Sequence, residues 1–460
     1  MNVIPEVKGP LQKLGFKDKL IWTLIVLIAF FVLSVLPLYG LGQNSLQQFE
    51  QLSILLGASF GSILSLGIGP IVTSSIVLQL LVGSGILKID IHTQEGKSYF
   101  QGLQKILTLF FVLFEAAIYV FLGGLAPNPN LPPSSFFSFQ LILVAQLIIG
   151  GVLILYMDEI VSKWGFGSGV SLFIAAGVSA EIFVRAFSPL TSTGVLAFGS
   201  GQPPVGAVLV FFISLVKGDP TSAIVALSAI LATVIIFVLS VYAQAMKVEI
   251  PLTFGRVRGY GMRWPLNFLY TSNIPVILVA ALIANVQLFA RLLESWGRPI
   301  LGTFVGGSPA SGLIVWLNPP NLINNLITGA FKFSDLSHGF VYILFLTAGA
   351  VIFSIFWVQT SGMDSESQAK QIMSSGLQVP GFRRDPRVIQ SLLERYIFPL
   401  TIMGGFTIGI LAGGADLLGA LSRGTGILLA VMIIYRLYED ISKQHMMDMH
   451  PALRKMMGGE

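Results

Sequence analysis

Two short segments of the chain spell motifs that carry hydrolytic chemistry in enzymes. Residues 57–61 read Gly-Ala-Ser-Phe-Gly, in which a serine nucleophile would stand between two glycines. Such a serine needs a strand-to-helix turn and a general base, and we expect no histidine nearby. Residues 96–98, Gly-Lys-Ser, resemble the end of a phosphate-binding loop, but Ile91 stands where that loop requires glycine. We therefore expect neither serine hydrolysis nor nucleotide hydrolysis, and a partner has to supply any energy.

The residue types that bind metals and form catalytic triads are scarce. Cysteine is absent, which removes disulfides, thiolate nucleophiles and cysteine metal ligands. The histidines lie in or beside polar segments rather than inside apolar runs, at His92, His338, His445 and His450. We therefore expect no enzymatic activity, no bound metal and no cofactor.

One carboxylate, Glu115, stands near the centre of a long apolar run. A charge there costs about 2.5 to 3.5 kcal/mol on membrane-insertion scales, so a function or a polar partner has to explain it. Thr73 and Asn273, in two other apolar runs, are candidate partners for a small polar cluster between helices. A proton relay is the alternative interpretation, but a single acid without a companion His, Asp or Lys makes a poor relay.

Branched aliphatic side chains flank glycine and proline positions in four apolar runs. Two pairs stand four residues apart and so share a helix face, and two further residues follow matching short motifs. A narrow ring of such side chains would resist wetting and stop ions, yet would offer no fixed hydrogen bonds to hold a passing chain. Ordinary helix packing is the alternative, because aliphatics are common in any span. The candidate ring consists of Ile68, Val72, Val170, Ile174, Ile277 and Leu429.

The composition indicates which elements must position these residues. Hydrophobic residues make up 54% of the 460 residues and charged residues 11%, whereas soluble domains carry roughly 25% charged residues. A polytopic, all-α membrane protein is therefore the expected fold class. Runs long enough to cross roughly 30 Å of hydrocarbon fall near 20–39, 68–87, 105–125, 139–160, 168–187, 223–245, 268–290, 338–357, 397–415 and 424–438. We expect ten transmembrane helices.

The second run does not fit a single crossing. Residues 52–87 contain no charged residue and would form a helix of about 54 Å at 1.5 Å per residue. A Gly-Ile-Gly-Pro stretch at 67–70 interrupts it, and broken backbone survives at membrane depth only beside protein or a water-filled cavity. We therefore expect a span from residue 68, a cavity near the break, and a displaceable re-entrant helix at 53–66. Small residues spaced by four mark that helix: Gly57, Gly61 and Ser65.

Two short patterns recur five spans apart. Residues 167–170 (GSGV) open the fifth run and 424–427 (GTGI) open the tenth, while 68–72 (IGPIV) and 273–277 (NIPVI) lie early in the second and seventh. Because each half then has an odd number of spans, the halves have opposite topology, as in an inverted repeat. We expect two pseudo-symmetric halves, 1–222 and 223–460.

The distribution of charge predicts the orientation. If the N-terminus is cytoplasmic, the cytoplasmic segments hold 21 of the 27 lysines and arginines, as the positive-inside rule requires. No cleavable leader is evident, so the first run should remain as a span. Both termini should then lie in the cytoplasm.

Two cytoplasmic loops, 246–267 and 358–396, are long and rich in arginine. Arginine recognises phosphate in a bidentate manner, so RNA or an acidic protein could dock there. The positive-inside bias and lipid headgroups explain the same charge equally well, and both interpretations stand. The candidate docking residues are Arg256, Arg258, Arg383 and Arg384.

Broken helices and repeats are compatible with more than one function. An apolar ring suits a pore for something large and chemically varied. A secondary transporter shares the inverted repeats and broken helices but needs polar coordinating groups at the breaks, where this sequence places aliphatics. An intramembrane hydrolase would need the serine chemistry that residues 57–61 do not support.

Long and unusual stretches, in the right order, resemble the SecY family of protein-conducting channels, and most closely its archaeal and eukaryotic branch. They are LGIGPIVTSSIVLQLLVGSG at 66–85, YMDEIVSKWGFGSGVSLFIAAGV at 156–178, YAQAMKVEIPLTFGRVRG at 242–259, YTSNIPVILVAALIANVQ at 270–287 and GTGILLAVMIIYRLYE at 424–439. The resemblance runs nearly end to end.

The resemblance implies a channel through which unfolded polypeptides pass outward and from which apolar segments leave sideways into lipid. Its halves would hinge between the fifth and sixth spans, a plug helix would occupy 53–66, and the candidate ring would form the constriction. Val170 replaces the isoleucine of relatives. A lateral gate would lie where the second and third spans meet the seventh and eighth, with a polar cluster on Thr73, Glu115 and Asn273.

The resemblance also implies partners and a location. The implied partners are small membrane subunits of the SecE and Secβ kinds, signal sequences and nascent polypeptides, membrane lipids, and a ribosome or cytosolic motor at the arginine-rich loops. Arg383 matches the bacterial motor-loop pattern, while Arg384 replaces its usual proline. The implied location is the cell membrane.

Overall fold

Helices account for most of the chain. The computed structural model describes residues 6–12, 14–44, 58–83, 85–87, 89, 93–129, 132–191, 195–197, 202–254, 261–271, 274–305, 308–374, 377–378 and 386–449. Within these residues the helices are α1 (Phe16–Val35), α2 (Gly69–Gly83), α3 (Gln94–Phe121), α4 (Pro133–Trp164), α5 (Gly169–Phe187), α6 (Ala207–Lys217), α7 (Pro220–Ala245), α8 (Ile274–Ser295), α9 (Leu313–Trp316), α10 (Leu322–Ile327), α11 (Phe333–Thr360), α12 (Ser365–Ser374), α13 (Pro386–Leu417) and α14 (Gly424–Met449).

Each of the ten expected spans coincides with a helix, so the all-α fold class is confirmed. The helices are α1 to α5, α7, α8, α11, α13 and α14. In the described part of the chain, eight helices are long and apolar enough to cross a membrane. The two other expected spans correspond to α2, which has only 15 residues, and α14, whose second half is polar.

Three of these helices run well beyond their apolar runs. α3 begins at Gln94 rather than near 105, α13 begins at Pro386 rather than near 397, and α14 continues to Met449 rather than ending near 438. The start of α3 is capped by Thr93, whose side chain accepts a hydrogen bond from the Gly96 amide. Hydropathy marks only the part of a helix that suits lipid, whereas capping decides where the backbone hydrogen bonds begin.

Short strands occupy several of the loops between the spans. Strands β1 (Leu41–Asn44) and β2 (Leu125–Pro127) pair with each other, and so do β5 (Phe304–Val305) and β6 (Ser308–Pro309). A third sheet has the order β4-β3-β7, formed by β3 (Lys247–Phe254), β4 (Gly261–Asn267) and β7 (Leu377–Gln378). The third sheet therefore joins the two arginine-rich loops, with Thr253 opposite Gln378.

The N-terminal segment is fastened to the end of α4. Lys163 hydrogen-bonds the Glu6 carboxylate and also the Val7 carbonyl at 2.6 Å, while the Val7 amide donates to Glu159 Oε2 at 3.0 Å. The hydrogen bond from Lys163 and its positive charge lower the pKa of the Glu6 carboxyl below its ordinary value. These contacts hold the chain before α1 against the fourth span.

Glycines let α13 lie directly against α11. A Cβ atom on Gly409 would stand 2.5 Å from the Thr347 Cα, and one on Gly413 would stand 3.2 Å from the Ile343 Cα. No larger residue fits at the first of these places without moving a helix backbone. Small residues at helix interfaces permit such close approach in membranes.

The first five spans meet the last five along two main seams. α2 contacts α8 and α11 at one seam, and α5 contacts α14 at the other. One large apolar cluster extends across both seams and includes residues from α1, α2, α5, α8, α11 and α14. The expected division after residue 222 falls in the first turn of α7, which begins at Pro220 behind the capping residue Asp219.

Candidate functional site

The break expected in the second run is present. Gly67 has a φ of +55°, in the left-handed region that favours glycine. Its amide donates to the Leu64 carbonyl at 3.0 Å, and the Gly69 amide donates to the Leu66 carbonyl at 3.2 Å. These tight turns end at Gly69, where α2 begins with Pro70 in its first turn. A proline suits this position because the first turn of a helix has no partner for its N–H groups.

The segment expected to form the plug helix is only partly described. Residues 53–57, including Gly57, lie outside the described residues. Residues 58–66 form successive turns, so the expectation of a helix is wrong for this part. Ser65 Oγ accepts from the Gly61 amide at 2.9 Å and donates to the Ser62 carbonyl at 2.5 Å. Serine side chains that bond to nearby backbone compete with helix formation, and Gly61 has a φ of +100°.

The turns at 58–66 pack into the protein interior. Leu64 and Leu66 are fully buried, and the Leu38 amide donates to the Gly61 carbonyl at 2.9 Å. The Phe60 ring meets the buried Tyr119 ring edge-on, with centroids 6.4 Å apart. The segment 58–66 therefore packs against α3, directly before the break and the start of α2.

The candidate ring residues lie in one continuous apolar cluster. Ile68, Val72, Ile174, Ile277 and Leu429 are buried, with exposed fractions between 0 and 7%, and Val170 is half-buried against the same cluster. They come from four helices and the turn before α2, so both halves contribute. The described side chains at this meeting point are aliphatic and present no group that would coordinate an ion.

The helix starts bring the ring residues into register. Val72 and Ile277 are each the fourth residue of their helices, α2 and α8, and both helices have proline as the second residue. Ile174 and Leu429 are each the sixth residue of α5 and α14. The structure therefore aligns Gly169 with Gly424, whereas the short motifs had aligned Gly167 with Gly424, because α5 begins at the second glycine of its motif.

A polar cluster crosses the seam between α2 and α8. Thr73 Oγ1 lies 3.2 Å from Glu115 Oε1 and donates a hydrogen bond to the Gly69 carbonyl oxygen at 2.8 Å. The amide of Asn285 on α8 donates to Thr73 Oγ1 at 2.8 Å. Asn273 lies outside the described residues, so its predicted place in the cluster is not described. Glu115 is buried, at 1% exposure, and Gly69 leaves room for it, since a Cβ there would stand 3.1 Å from Glu115 Oε2.

Sequence reasoning missed Asn285. It lies within the apolar stretch AALIANVQLF of α8, where an amide needs a hydrogen-bonding partner because lipid offers none. A search for uncharged amides inside apolar runs, in addition to charges, would have found it. Further polar contacts continue between α2 and α3, where Ser74 Oγ and Thr108 Oγ1 lie 2.7 Å apart and Gln104 donates to Ser75 at 2.6 Å.

A cavity of about 690 Å³ opens against the ring. Val72, Val170 and Ile277 form part of its apolar wall. Residues from α2, α3, α8, α11 and α14 surround it, so it lies along the seam between the halves. Its charged lining residues carry both signs: Lys97, Asp158, Arg436 and Asp440.

The four candidate docking arginines, Arg256, Arg258, Arg383 and Arg384, lie outside the described residues. The strands that flank them are described: β3 and β4 lead into and out of the first loop, and β7 precedes the second pair. Because the three strands form one sheet, both arginine-bearing segments are attached to that sheet.

Comparison with known sequences identifies the family. The SecY family model matches residues 62–438, and a model of the plug domain of Sec61p matches residues 28–61. The plug match thus begins inside α1 and ends at 61 rather than at the expected 66. The protein translocase subunit SecY of Methanothermobacter thermautotrophicus is 45% identical over 464 aligned positions, which cover 99% of this chain and 97% of the relative.

Comparison with solved structures agrees. The structure of a protein-conducting channel matches with a TM-score of 0.83 at 39% identity, covering 99% of this chain and 98% of the other. Sec61 in the canine ribosome–channel complex from the endoplasmic reticulum matches with a TM-score of 0.79 at 38% identity and the same coverage. Full-length agreement in sequence and fold leads to one conclusion: this chain belongs to the SecY family of protein translocase subunits.

Proposed function

We propose that the candidate ring is the constriction of a protein-conducting channel. At rest the ring would close on itself, and during transport it would seal around an unfolded polypeptide. The observation that carries this proposal is the convergence of six aliphatic side chains from both halves on one cluster. A ring of this chemistry resists wetting and holds no passing segment by hydrogen bonds. The chain would work as a passive channel without catalysing covalent chemistry.

Two further parts of the channel follow from the same geometry. The segment 53–66 would act as the plug, since its described residues close over α3 beside the break. The seam between α2 and the pair α8 and α11 would act as the lateral gate, held by Thr73, Glu115 and Asn285. Apolar segments would leave through this seam into lipid, because it separates the halves along the cavity.

Several partners are proposed for the surfaces outside the pore. The sheet β4-β3-β7 would present Arg256, Arg258, Arg383 and Arg384 to a ribosome, as the matched Sec61 stands in a ribosome–channel complex; a cytosolic motor is the alternative. SecE-type and Secβ-type small membrane subunits would cover part of the outer apolar helices. The ribosome proposal is tested by measuring ribosome binding to membranes that contain the Arg256→Glu, Arg258→Glu variant. Undiminished binding would argue against it.

The location of the protein in the cell and the movement of its two halves are also proposals. The protein would lie in the cell membrane with both termini in the cytoplasm, as the excess of positive charge in the corresponding segments supports. The two halves, 1–222 and 223–460, would hinge at the connection between α5 and α7. Because α7 starts at Pro220, the boundary would fall just before residue 220, so that the whole helix would move with the second half.

Reconstitution tests the function directly. Proteoliposomes containing the chain with its small membrane subunits receive either an unfolded secretory precursor or a panel of small solutes, with the appropriate driving partner. We expect the precursor to become protected from external protease and the solutes to stay outside. Uptake of a solute with no protection of the precursor would instead support the transporter interpretation, which shares the inverted repeats.

A further inference from the structure

Helices α5 and α14 begin in the same way, although they belong to different halves. The amide of Val170, the second residue of α5, donates to Oδ1 of Asp158 on α4 at 2.9 Å. The amide of Thr425, the second residue of α14, donates to Oδ1 of Asp416 on α13 at 2.8 Å. In each case an aspartate of the preceding helix takes the part that a capping side chain normally plays. Ser168, the residue before α5, makes no such capping hydrogen bond.

Both helix starts are also pressed against the backbone of the helix before them. A Cβ on Gly169 would stand 2.6 Å from the Asp158 Cα, and one on Gly424 would stand 2.1 Å from the Ala415 carbonyl carbon. Real Cβ atoms do not approach other atoms so closely, so only glycine allows this packing. The close contact and the hydrogen bond together fix where each helix begins along its neighbour.

A ring residue lies one helical turn beyond each of these fixed amides, and Val170, whose amide Asp158 binds, is itself a ring residue. Ile174 follows Val170 by four residues, and Leu429 follows Thr425 by four. Residues four apart share a helix face and differ in height by about 6 Å. A shift of either helix start would therefore move the corresponding ring side chain by the same amount.

Other groups hold Asp416 in place. Its Oδ2 accepts from the Tyr342 hydroxyl of α11 at 2.6 Å and from Thr425 Oγ1, and the residue is only 6% exposed. Asp158 instead lines the wall of the cavity. The starts of α2 and α8 carry proline at the second position, so they have no amide there for an aspartate to bind.

We propose that Asp158 and Asp416 are positioning residues for the ring: each fixes the height of one ring side chain, Ile174 or Leu429, by binding the helix start beneath it. The inference rests on the proposed function of the ring and adds two residues to it. It is carried by the same arrangement occurring twice, in two halves, at the same distance from a ring residue.

The absence of cysteine from the chain makes a clean test possible. Single cysteines at Ile174, Leu429 or Ile277 report how readily a water-soluble maleimide reaches the ring in the reconstituted complex. Combined with Asp158→Ala, we expect at least a threefold faster reaction at 174 and little change at 277 or 429. Combined with Asp416→Ala, we expect the increase at 429 alone. Ile277 serves as the internal control because α8 has proline at its second position, so no N–H group there can bind an aspartate.

Conservative variants separate positioning from a general loss of structure. Asp158→Asn and Asp416→Asn keep an acceptor oxygen, so they should leave the reaction rates near those of the parent. Asp158→Glu and Asp416→Glu lengthen the side chain and should change the rate only at their own ring residue. Glu159→Ala, which removes the neighbouring acid, should change none of the three rates, since Glu159 binds Lys105 and Val7 instead.

The outcomes are decisive in both directions. Unchanged rates in the Ala variants, or equal changes at all three cysteines, would overturn the inference. If the Ala variants do not assemble, the Glu variants decide the question. Maleimide reaction rates at 174 and 429 equal to those of the parent would then overturn the inference. A nascent chain that never crosslinks to residue 277 would refute the proposed pore instead, and would leave the aspartate result standing.

Discussion

Ile174 and Ile277 combine deep burial with a complete lack of hydrogen-bonding capacity. Each exposes no more than 7% of its surface in the apolar cluster, and they stand on helices from different halves. Branched side chains of this kind can repack around objects of different width without leaving a polar group unsatisfied. The proposed ion seal would therefore rest on the apolar nature of the ring, and its proposed tolerance of varied chains would rest on the same property.

A polar substitution in the ring tests this reasoning. Ile174→Ser combined with Ile277→Ser should raise the resting ion conductance of the channel severalfold, because hydroxyl groups help water to fill the constriction. Conductance of the purified complex in planar bilayers measures the effect. Leu143→Ser is the matched control, since Leu143 is fully buried in a separate apolar cluster. A similar leak from the control would mean that loss of packing, rather than wetting, opens the path.

Polar residues in the interior of apolar helices were only partly predictable. Glu115 stood out because a carboxylate is expensive in lipid, and its contact with Thr73 was expected. Asn285, the residue that bridges to Thr73 from α8, was not singled out because an uncharged amide weakens hydropathy only slightly. Which amide faces which hydroxyl depends on helix rotation, and hydropathy carries no information about rotation when a helix is apolar on all sides.

Substitutions at Asn285 should favour opening of the gate by different amounts. Asn285→Ala removes a hydrogen bond across the seam, which is worth about 0.6 to 1.7 kcal/mol in membranes, or roughly threefold to twentyfold in the opening equilibrium. Asn285→Leu also leaves Thr73 Oγ1 without this donor, but it keeps the volume of the amide and adds apolar contact, so it should loosen the seam less. Export of a reporter with a weakly apolar signal sequence should therefore rise with Ala and rise less with Leu. Export with Ala no higher than that of the parent would contradict the role of this bond.

The backbone near the break was predictable from the sequence only in part. The interruption at 67–70 was predictable, since two glycines and a proline cannot continue a regular helix. The turns at 58–66 were not, because small residues at four-residue spacing also describe a helix face. Their conformation depends on Ser65 bonding to nearby backbone and on a long-range hydrogen bond from Leu38. The spacing of small residues reveals neither of these bonds.

The plug should be removable without unfolding the channel. Deleting 53–61, rather than the whole segment 53–66, keeps Leu64 and Leu66 in the core, where both are fully buried. We expect this deletion to make membranes leak ions or to relax signal selectivity, because the ring alone seals less well. Ion flux in proteoliposomes and export of a reporter without a functional signal measure the two effects. A deletion variant with normal conductance and normal selectivity would refute the plug assignment.

Repeated motifs predicted the symmetry of the helices better than their register. The Pro70 and Pro275 motifs align the starts of α2 and α8 without adjustment. The glycine motifs of α5 and α14 needed a shift of two residues, because the contact with Asp158 fixes the start of α5 at Gly169. A contact between two helices decided this register, and such contacts are not visible in either motif alone.

At the scale of the molecule, the two halves are held by seams of different character. The seam between α5 and α14 includes Ser422, which hydrogen-bonds the buried Glu181. The seam between α2 and the pair α8 and α11 borders the cavity and depends on few polar contacts. At Gly83 on this seam, a Cβ would stand 2.6 Å from the Phe356 ring of α11. We expect the molecule to open at the second seam.

A side chain at Gly83 should act as a wedge in that seam. Gly83→Val places two methyl groups where the Phe356 ring now lies, so the closed state loses contact between α2 and α11. We expect export of proteins with weak signal sequences to increase severalfold. Gly414→Ala on α13 is the matched control, because a Cβ there meets no atom within 4 Å. Unchanged signal selectivity in the valine variant would argue that this seam does not open.

The most direct measurement is site-specific crosslinking of a stalled precursor from every ring position. Photoreactive residues at 68, 72, 170, 174, 277 and 429 all face a single cluster in the structure, whereas one at Ile149 on α4, which is exposed on the outside, does not. We predict adducts with the same short stretch of the precursor from all six ring positions and none from 149. Adducts from one half only, or from 149 as readily as from the ring, would contradict a polypeptide path through this constriction.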